Sequence, residues 1–252
     1  FGSHGGILVD PQNPNIEEIY QEFHKYIEKK FINQNLISFL IIDNPISTQN
    51  LEKHKFEHFR IEDSRISQIK YLPNIENINE TEKNLFESFH VKTRNAIRKG
   101  LKLNPRFIEN SDIKDINWIQ KVHKNSIKKM GGKYKTLLEL ETLIEHFPPP
   151  FKSRVFFAMI GTQRIAGLIV LLYKDTVEYF TPVVIERFKN SQILSSLIFY
   201  SMKKLNIEGY KIWNWGGTWN SQEGVFRFKN RFGSRSINYK YFIYKNQDLI
   251  DG

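Results

Sequence analysis

The stretch from Arg154 to Val184 limits the possible folds more than any other part of the chain. Three runs rich in β-branched and aromatic residues, Arg154 to Ile160, Arg164 to Tyr173 and Thr176 to Val184, are separated only by Gly161-Thr162-Gln163 and Lys174-Asp175. Connections this short fit antiparallel hairpins and leave no room for the crossover that parallel neighbours require. Pro148-Pro149-Pro150, just upstream, forbids helix and marks where this β-rich regime begins.

Helical patterns flank the hairpins. Ile16, Ile19, Tyr20, Phe23, Tyr26, Ile27 and Phe31 recur at spacings of three and four, which predicts an amphipathic helix over 15–31. Ile37 to Ile42 then reads as a buried strand. A second helix is expected from about Thr81 to Lys99, ending near Gly100. Leu85, Phe86, Phe89, Ala96 and Ile97 share its apolar face, and Lys92, Arg94, Arg98, Lys99 and Lys102 fall on the opposite arc. A third helix is expected over 116–130 with a stop at Gly131-Gly132. Beyond the hairpins the pattern predicts a helix over 191–206, a strand over 211–215, a short helix over 222–231 and a last strand over 237–244.

A chain of 252 residues with 40% hydrophobic content can bury a sizeable core, as one large domain or two small ones. Its longest apolar runs fall well short of the roughly 20 residues of a membrane-spanning helix, so it reads as a soluble protein. Cysteine is absent, which removes disulfides and thiolate nucleophiles and fits a reducing cytoplasm. The seven histidines never pair with acidic residues at zinc-site spacing, and no metal is expected. The net charge of +10 is unevenly spread, with no acidic residue between Glu223 and Asp248. Such a field favours phosphates, nucleic acid or an anionic membrane surface without choosing among them. Phe1-Gly2-Ser3-His4-Gly5-Gly6 reads as the interior of a longer chain.

The order of helix, three antiparallel strands, helix, strand, helix and strand matches the GNAT acyltransferase fold. In that fold the start of the helix after the hairpins offers backbone N–H groups to a pyrophosphate. The equivalent stretch, with Lys189, Asn190 and Ser191, carries positive charge and an N-cap residue but lacks the usual glycine spacing. It serves as an ordinary capped helix or as a donor-phosphate site, and both readings stand. Two further segments, Lys92-Thr93-Arg94-Asn95-Ala96-Ile97-Arg98-Lys99 and Gly224-Val225-Phe226-Arg227-Phe228-Lys229-Asn230-Arg231-Phe232-Gly233, resemble motifs of the FemABX-like branch of the GNAT superfamily.

The resemblance covers nearly the whole chain. It implies tandem GNAT-like halves, 1–110, incomplete at its start, and 111–252. It also implies transfer of an acyl or aminoacyl group to an amine of a phosphate-bearing cell-envelope sugar or peptide precursor, such as a peptidoglycan precursor. The resemblance further implies acyl-CoA or aminoacyl-tRNA as donor, no tightly bound cofactor, and work in the cytoplasm, either free or at the inner face of an anionic membrane. Lys229 matches the lysine on which the family's chemistry depends, and its role would be to stabilise the oxyanion formed when an amine attacks a carbonyl. Phe228 flanks it. No long heptad-bearing arm of the kind found in some tRNA-dependent members is visible, and the strand before the late motif lacks the acidic residue common in the peptidoglycan enzymes.

The remaining candidates are substrate-binding. Gly216 and Gly217 would allow close backbone approach, and Trp219 offers a ring for stacking. Trp213 and Trp215 read as core. Arg94 and Arg98 hold phosphate or form a solvated basic face. A second function class stays open beside the enzyme: a catalytically inactive GNAT-fold module that binds RNA.

Overall fold

The computed structural model of the chain describes residues 9–10, 12–33, 37–42, 45, 60–74, 77–110, 113–145 and 152–245. The segments Phe1 to Gly6 and Pro148 to Pro150 lie outside the described residues. In chain order the elements are α1 (Ile16–Asn33), β1 (Ser38–Ile42), β2 (Arg60–Tyr71), α2 (Ile78–Glu87), α3 (Val91–Leu101), β3 (Arg106–Glu109), α4 (Ile113–Lys129), α5 (Leu137–Glu145), β4 (Lys152–Ile160), β5 (Gln163–Tyr173), β6 (Thr176–Val184), α6 (Ile193–Ile207), β7 (Ile212–Trp219), α7 (Glu223–Asn230) and β8 (Arg235–Lys245). The three expected hairpin strands are β4, β5 and β6.

The single helix expected over 81–99 is two helices, broken at Ser88-Phe89-His90. His90 has an extended backbone, and its Nδ1 accepts from the Lys92 N–H at 3.1 Å, which caps α3. Phe89 turns into the core at the break. The apolar faces of the two helices keep one continuous period in sequence, and this hides the interruption. β2, β3 and α5 were not expected. The start of α5 carries a capping box, with the Thr136 N–H donating to Glu139 Oε2 at 2.6 Å and the Glu139 N–H to Thr136 Oγ1 at 3.2 Å.

The chain folds as two compact units, one formed by Phe1–Ser67, Gly217–Glu223 and Ser236–Gly252, the other by Gln68–Gly216 and Gly224–Arg235. In the first unit β1 runs antiparallel to β8, with Ile41 opposite Phe242. Tyr20 of α1 packs on that pair, and Val9, Ile16 and Phe39 close around it.

The second unit carries the strand order β2-β7-β6-β5-β4-β3. Neighbouring residues Val155, Phe156 and Phe157 of β4 point to alternate faces, and all are buried because helices cover both sides. On one face Phe156, Leu168, Val170, Trp213 and Trp215 meet Leu85, Ile97, Leu197 and Met202 of α2, α3 and α6. On the other, Val155, Phe157, Ile169 and Val183 meet Ile116, Ile119 and Leu140 of α4 and α5. Each such side chain stabilises the fold by roughly 1.5–3 kcal/mol relative to exposure.

Two irregularities interrupt this sheet. β6 and β7 pair in parallel from Thr176 with Ile212 to Glu178 with Asn214, and among the described residues the ladder ends there although β6 continues to Val184. On its other edge β6 passes from Tyr179 opposite Val170 to Thr181 opposite Ile169, leaving Phe180 as a bulge.

Candidate active site

Lys229 stands where β6 and β7 part. α7 is short and two-faced. Phe228 and Phe232 pack on Trp215, with ring centroids 6.0 and 5.0 Å away, and Phe232 also meets Phe89 edge-on at 5.2 Å. Anchored by these rings, the helix buries Lys229 to 6% exposure. The ammonium donates to the Gly216 carbonyl at 3.5 Å. Burial lowers its pKa to about 8, and the charge of Glu178 opposes that shift. Glu178 is itself held by Asn214 Nδ2 at 2.6 Å, and Asn214 Oδ1 accepts from the Gly216 N–H at 2.9 Å. Glu178, Asn214, Gly216 and Lys229 therefore form one connected polar group at the last paired rung of the two strands.

The glycine that closes the Phe-Lys-x-x-Phe-Gly spacing has a steric cause. Gly233 has φ +75°, and a Cβ there would lie 2.6 Å from the Ser88 carbonyl oxygen. The His90 N–H donates to the Arg231 carbonyl at 2.9 Å, and Ser234 Oγ to the Lys229 carbonyl at 2.9 Å. The turn after α7 is thus pressed onto the break between α2 and α3.

A cavity of about 580 Å³ lies along α7, and Lys229, Glu178, Asn214 and Gly216 are not part of its lining. Lys92 and Lys99 line it from α3, Arg227 and Arg231 from α7 and the residue following it, and Gln192 and Ser195 from the start of α6. Phe228 and Phe232 form part of its wall, and no carboxylate does. A cavity with four cations and no acid is suited to an anion, and phosphate oxygens suit the two guanidinium forks in particular. Among the described residues no group of three metal-ligating side chains occurs, and no helix is long and apolar enough to cross a membrane.

The other residues expected at the site are dispersed. Arg94 Nη1 donates to the Glu87 and Phe89 carbonyls at 2.9 and 3.0 Å, closing the end of α2. Arg98 Nη1 donates to Asn95 Oδ1 at 3.1 Å, and its guanidinium lies over Phe86. Neither lines the cavity, whereas Lys92 and Lys99 of the same helix do. Lys189 pairs with Glu186 at 3.0 Å. Ser191 Oγ accepts from the Ile193 N–H at 3.3 Å, and the Gln192 carbonyl accepts from the N–H groups of Ser195 and Ser196. Asn190 lies in the 3₁₀ turn Glu186–Ser191 and does not line the cavity. In the first unit, the space a side chain at Gly217 would need is filled by the Tyr239 hydroxyl. Trp219 is 45% exposed, and its ring is covered by the Arg65 guanidinium, 3.7 Å from its centroid and 4.2 Å from that of Tyr241. Trp213 and Trp215 are core residues, as expected.

The sequence offers Arg227 and Arg231 only as members of the Phe226 to Gly233 stretch and Gln192 only as the end of the candidate phosphate stretch from Arg187, and it does not single out Ser195, Glu178 or Asn214. The Arg227 and Arg231 pair, at i and i+4 on either side of Lys229, was the available signal. Glu178 sits inside an apolar strand run, and only the pairing of β6 with β7 shows its purpose.

A sheet in which β6 pairs in parallel with β7 only as far as Glu178 and then bulges on its other edge, with helices on both faces, is a GNAT-like α/β fold in the form that FemX has. A solved structure of FemX is similar over 97% of this chain and 80% of its own, with a TM-score of 0.74 and 14% identity. A conserved protein of unknown function from Bacteroides thetaiotaomicron is similar over 93% and 77%, with a TM-score of 0.63 and 11% identity. L-PGS from Bacillus licheniformis is similar over 92% and 74%, with a TM-score of 0.57 and 12% identity. No family model and no curated protein sequence matches the chain.

Proposed function

We propose that the protein is an acyl- or aminoacyltransferase that forms an amide on an amino group of a cell-envelope sugar or peptide precursor. The observation that carries this reading is the buried Lys229 ammonium at the parting of β6 and β7, on the same short helix that gives Arg227 to a cavity whose charged residues are all cations. When an amine attacks an acyl carbonyl, the carbonyl oxygen gains negative charge, and a fixed cation in a water-poor setting stabilises it far better than bulk water does. With a pKa of about 8, Lys229 is mostly charged near neutrality, at about ten to one at pH 7. The amine nitrogen forms the new C–N bond, the donor's thioester or ester bond breaks, the proton given up by the nitrogen ends on the departing sulfur or oxygen, and no protein nucleophile is required.

In this reading the cavity holds the phosphates of the donor, either acyl-CoA or aminoacyl-tRNA. Lys92, Lys99, Arg227 and Arg231 supply the charge. The tandem halves, the phosphate-bearing acceptor and work at the inner face of an anionic membrane belong to the same proposal. Transfer is tested with Lys229→Ala, which loses it while staying folded, and full activity in that variant removes the mechanism. A coenzyme A titration run beside a charged-tRNA binding assay separates the two donors.

The cationic cavity supports a second reading, an inactive RNA-binding module. Tight, salt-sensitive RNA binding undiminished by Lys229→Ala, without transfer from either donor, would select it.

A further inference from the structure

The second unit buries another lysine, for which the transfer step has no use. Lys70 on β2 is 4% exposed. Its ammonium donates to Ser88 Oγ at 2.8 Å and lies 5.2 Å from the centre of the Phe89 ring, and among the described residues no carboxylate pairs with it. Burial lowers its pKa to about 8. An ammonium held by one oxygen and one ring face is poorly compensated, and an apolar side chain of the same length would be at least as stable there. Stability therefore does not account for Lys70.

Its position does. Ser88 belongs to the break between α2 and α3, and a Cβ on Gly233 would stand 3.2 Å from Lys70 Nζ. The end of α2 and the turn after α7 meet over this one ammonium, next to the backbone link from the His90 N–H to the Arg231 carbonyl. From that junction α3 carries Lys92 and Lys99 into the cavity, and α7 with its turn carries Arg227 and Arg231. Two residues earlier on the same face of β2, the fully buried Gln68 donates Nε2 to the Phe226 carbonyl at 3.0 Å. β2 thus holds α7 near its start and its turn near the end.

We propose that Lys70 is a positioning residue that clamps the α2–α3 junction to the α7 turn and so sets the spacing of the two cation-bearing walls of the cavity. The inference rests on the cavity being the donor-phosphate site and is independent of the role given to Lys229.

Inorganic pyrophosphate is the probe, titrated at low salt into wild type, Lys70→Met and Ser88→Ala, with the melting temperature of each recorded. In Lys70→Met the affinity should fall by about tenfold or more while the melting temperature holds or rises, since small misplacements of binding groups are expensive. Ser88→Ala removes the lysine's acceptor from an exposed position and should weaken binding in the same direction, by about threefold, as the loss of one hydrogen bond suggests. It decides the matter should Lys70→Met not fold. Unchanged affinity, a loss matched by lower melting temperatures in both variants, or a wild type that does not bind pyrophosphate overturns the inference. Absence of transfer in a wild type that binds pyrophosphate sinks the transferase reading alone.

Discussion

Gly100 of α3 rests directly on Ser196 of α6. The Ser196 hydroxyl donates to the Ile97 carbonyl at 2.9 Å, and a Cβ at position 100 would run into Ser196 Oγ and stand 2.9 Å from the Gln192 carbonyl. Gly100→Ala should therefore push α3 away from α6, costing about 1–3 kcal/mol in urea unfolding. It should also weaken pyrophosphate binding, since Lys92 and Lys99 move with the helix. The double change Gly100→Ala with Ser196→Gly should restore part of both.

The two buried lysines give activity and stability opposite pH dependence. Lys70 and Lys229 both have a folded pKa of about 8, against an ordinary value of 10.5. Between those values the unfolded chain binds more protons, so stability contributed by these groups rises with pH from about 8 to 10.5, and the penalty is fully present below 8. Transfer should instead decline above about pH 8 as Lys229 loses its proton, approaching about tenfold per pH unit. Denaturant midpoints and rates measured over pH 7–10 check both, and Lys229→Met combined with Lys70→Met should flatten the stability rise.

Within α3 the cations divide by task. Lys92→Ala and Lys99→Ala should raise the donor Kd by about three- to tenfold and lower its salt dependence. Arg94→Ala removes two bonds to the end of α2 and should cost about 1–2 kcal/mol of stability, with any loss of donor affinity following that loss of stability and without a lower salt dependence. A loss of donor binding in Arg94→Ala at full stability would return that residue to the site.

Arg154 on β4 bridges Glu109 of β3 and Glu208 at the end of α6, and Lys204 adds a contact to Glu208 at 3.3 Å. Arg154→Ala leaves Lys204, 3.6 Å from Glu109 and 3.3 Å from Glu208, to bridge the two carboxylates and should destabilise by about 1–2 kcal/mol, less at high salt. Thermal melts at low and high ionic strength test this.

The hairpin strands and α6 were legible in the sequence because burial on both faces leaves continuous apolar runs between tight turns. β2 was not, because it reads as polar. Its buried Gln68 and Lys70 make sense only once α7 and Ser88 lie over them. The break at Ser88-Phe89-His90 was hidden for a related reason, since Phe89 satisfies a helical apolar period and yet packs as a turn residue. Lys229 could be singled out by its motif, and the basic helix 81–99 by its charge. Which cations of that helix face the cavity was not readable, because Lys92 and Lys99 lie at one edge of the basic arc and Arg94 and Arg98 at the other, and only the packing of α6 and α7 selects the edge. Glu178 and Asn214 needed the strand order, which no local pattern contains.

Four cations and no acid around a space of about 580 Å³ also bear on how the protein is handled. Such a lining offers phosphate or sulfate from a buffer the same charge that it would offer the phosphates of the proposed donor, and either anion is expected to compete for it. Screens for donor and acceptor belong in low-salt buffers of bulky organic ions, from the last purification step onward. A negative result obtained in phosphate-buffered saline would describe the buffer rather than the protein.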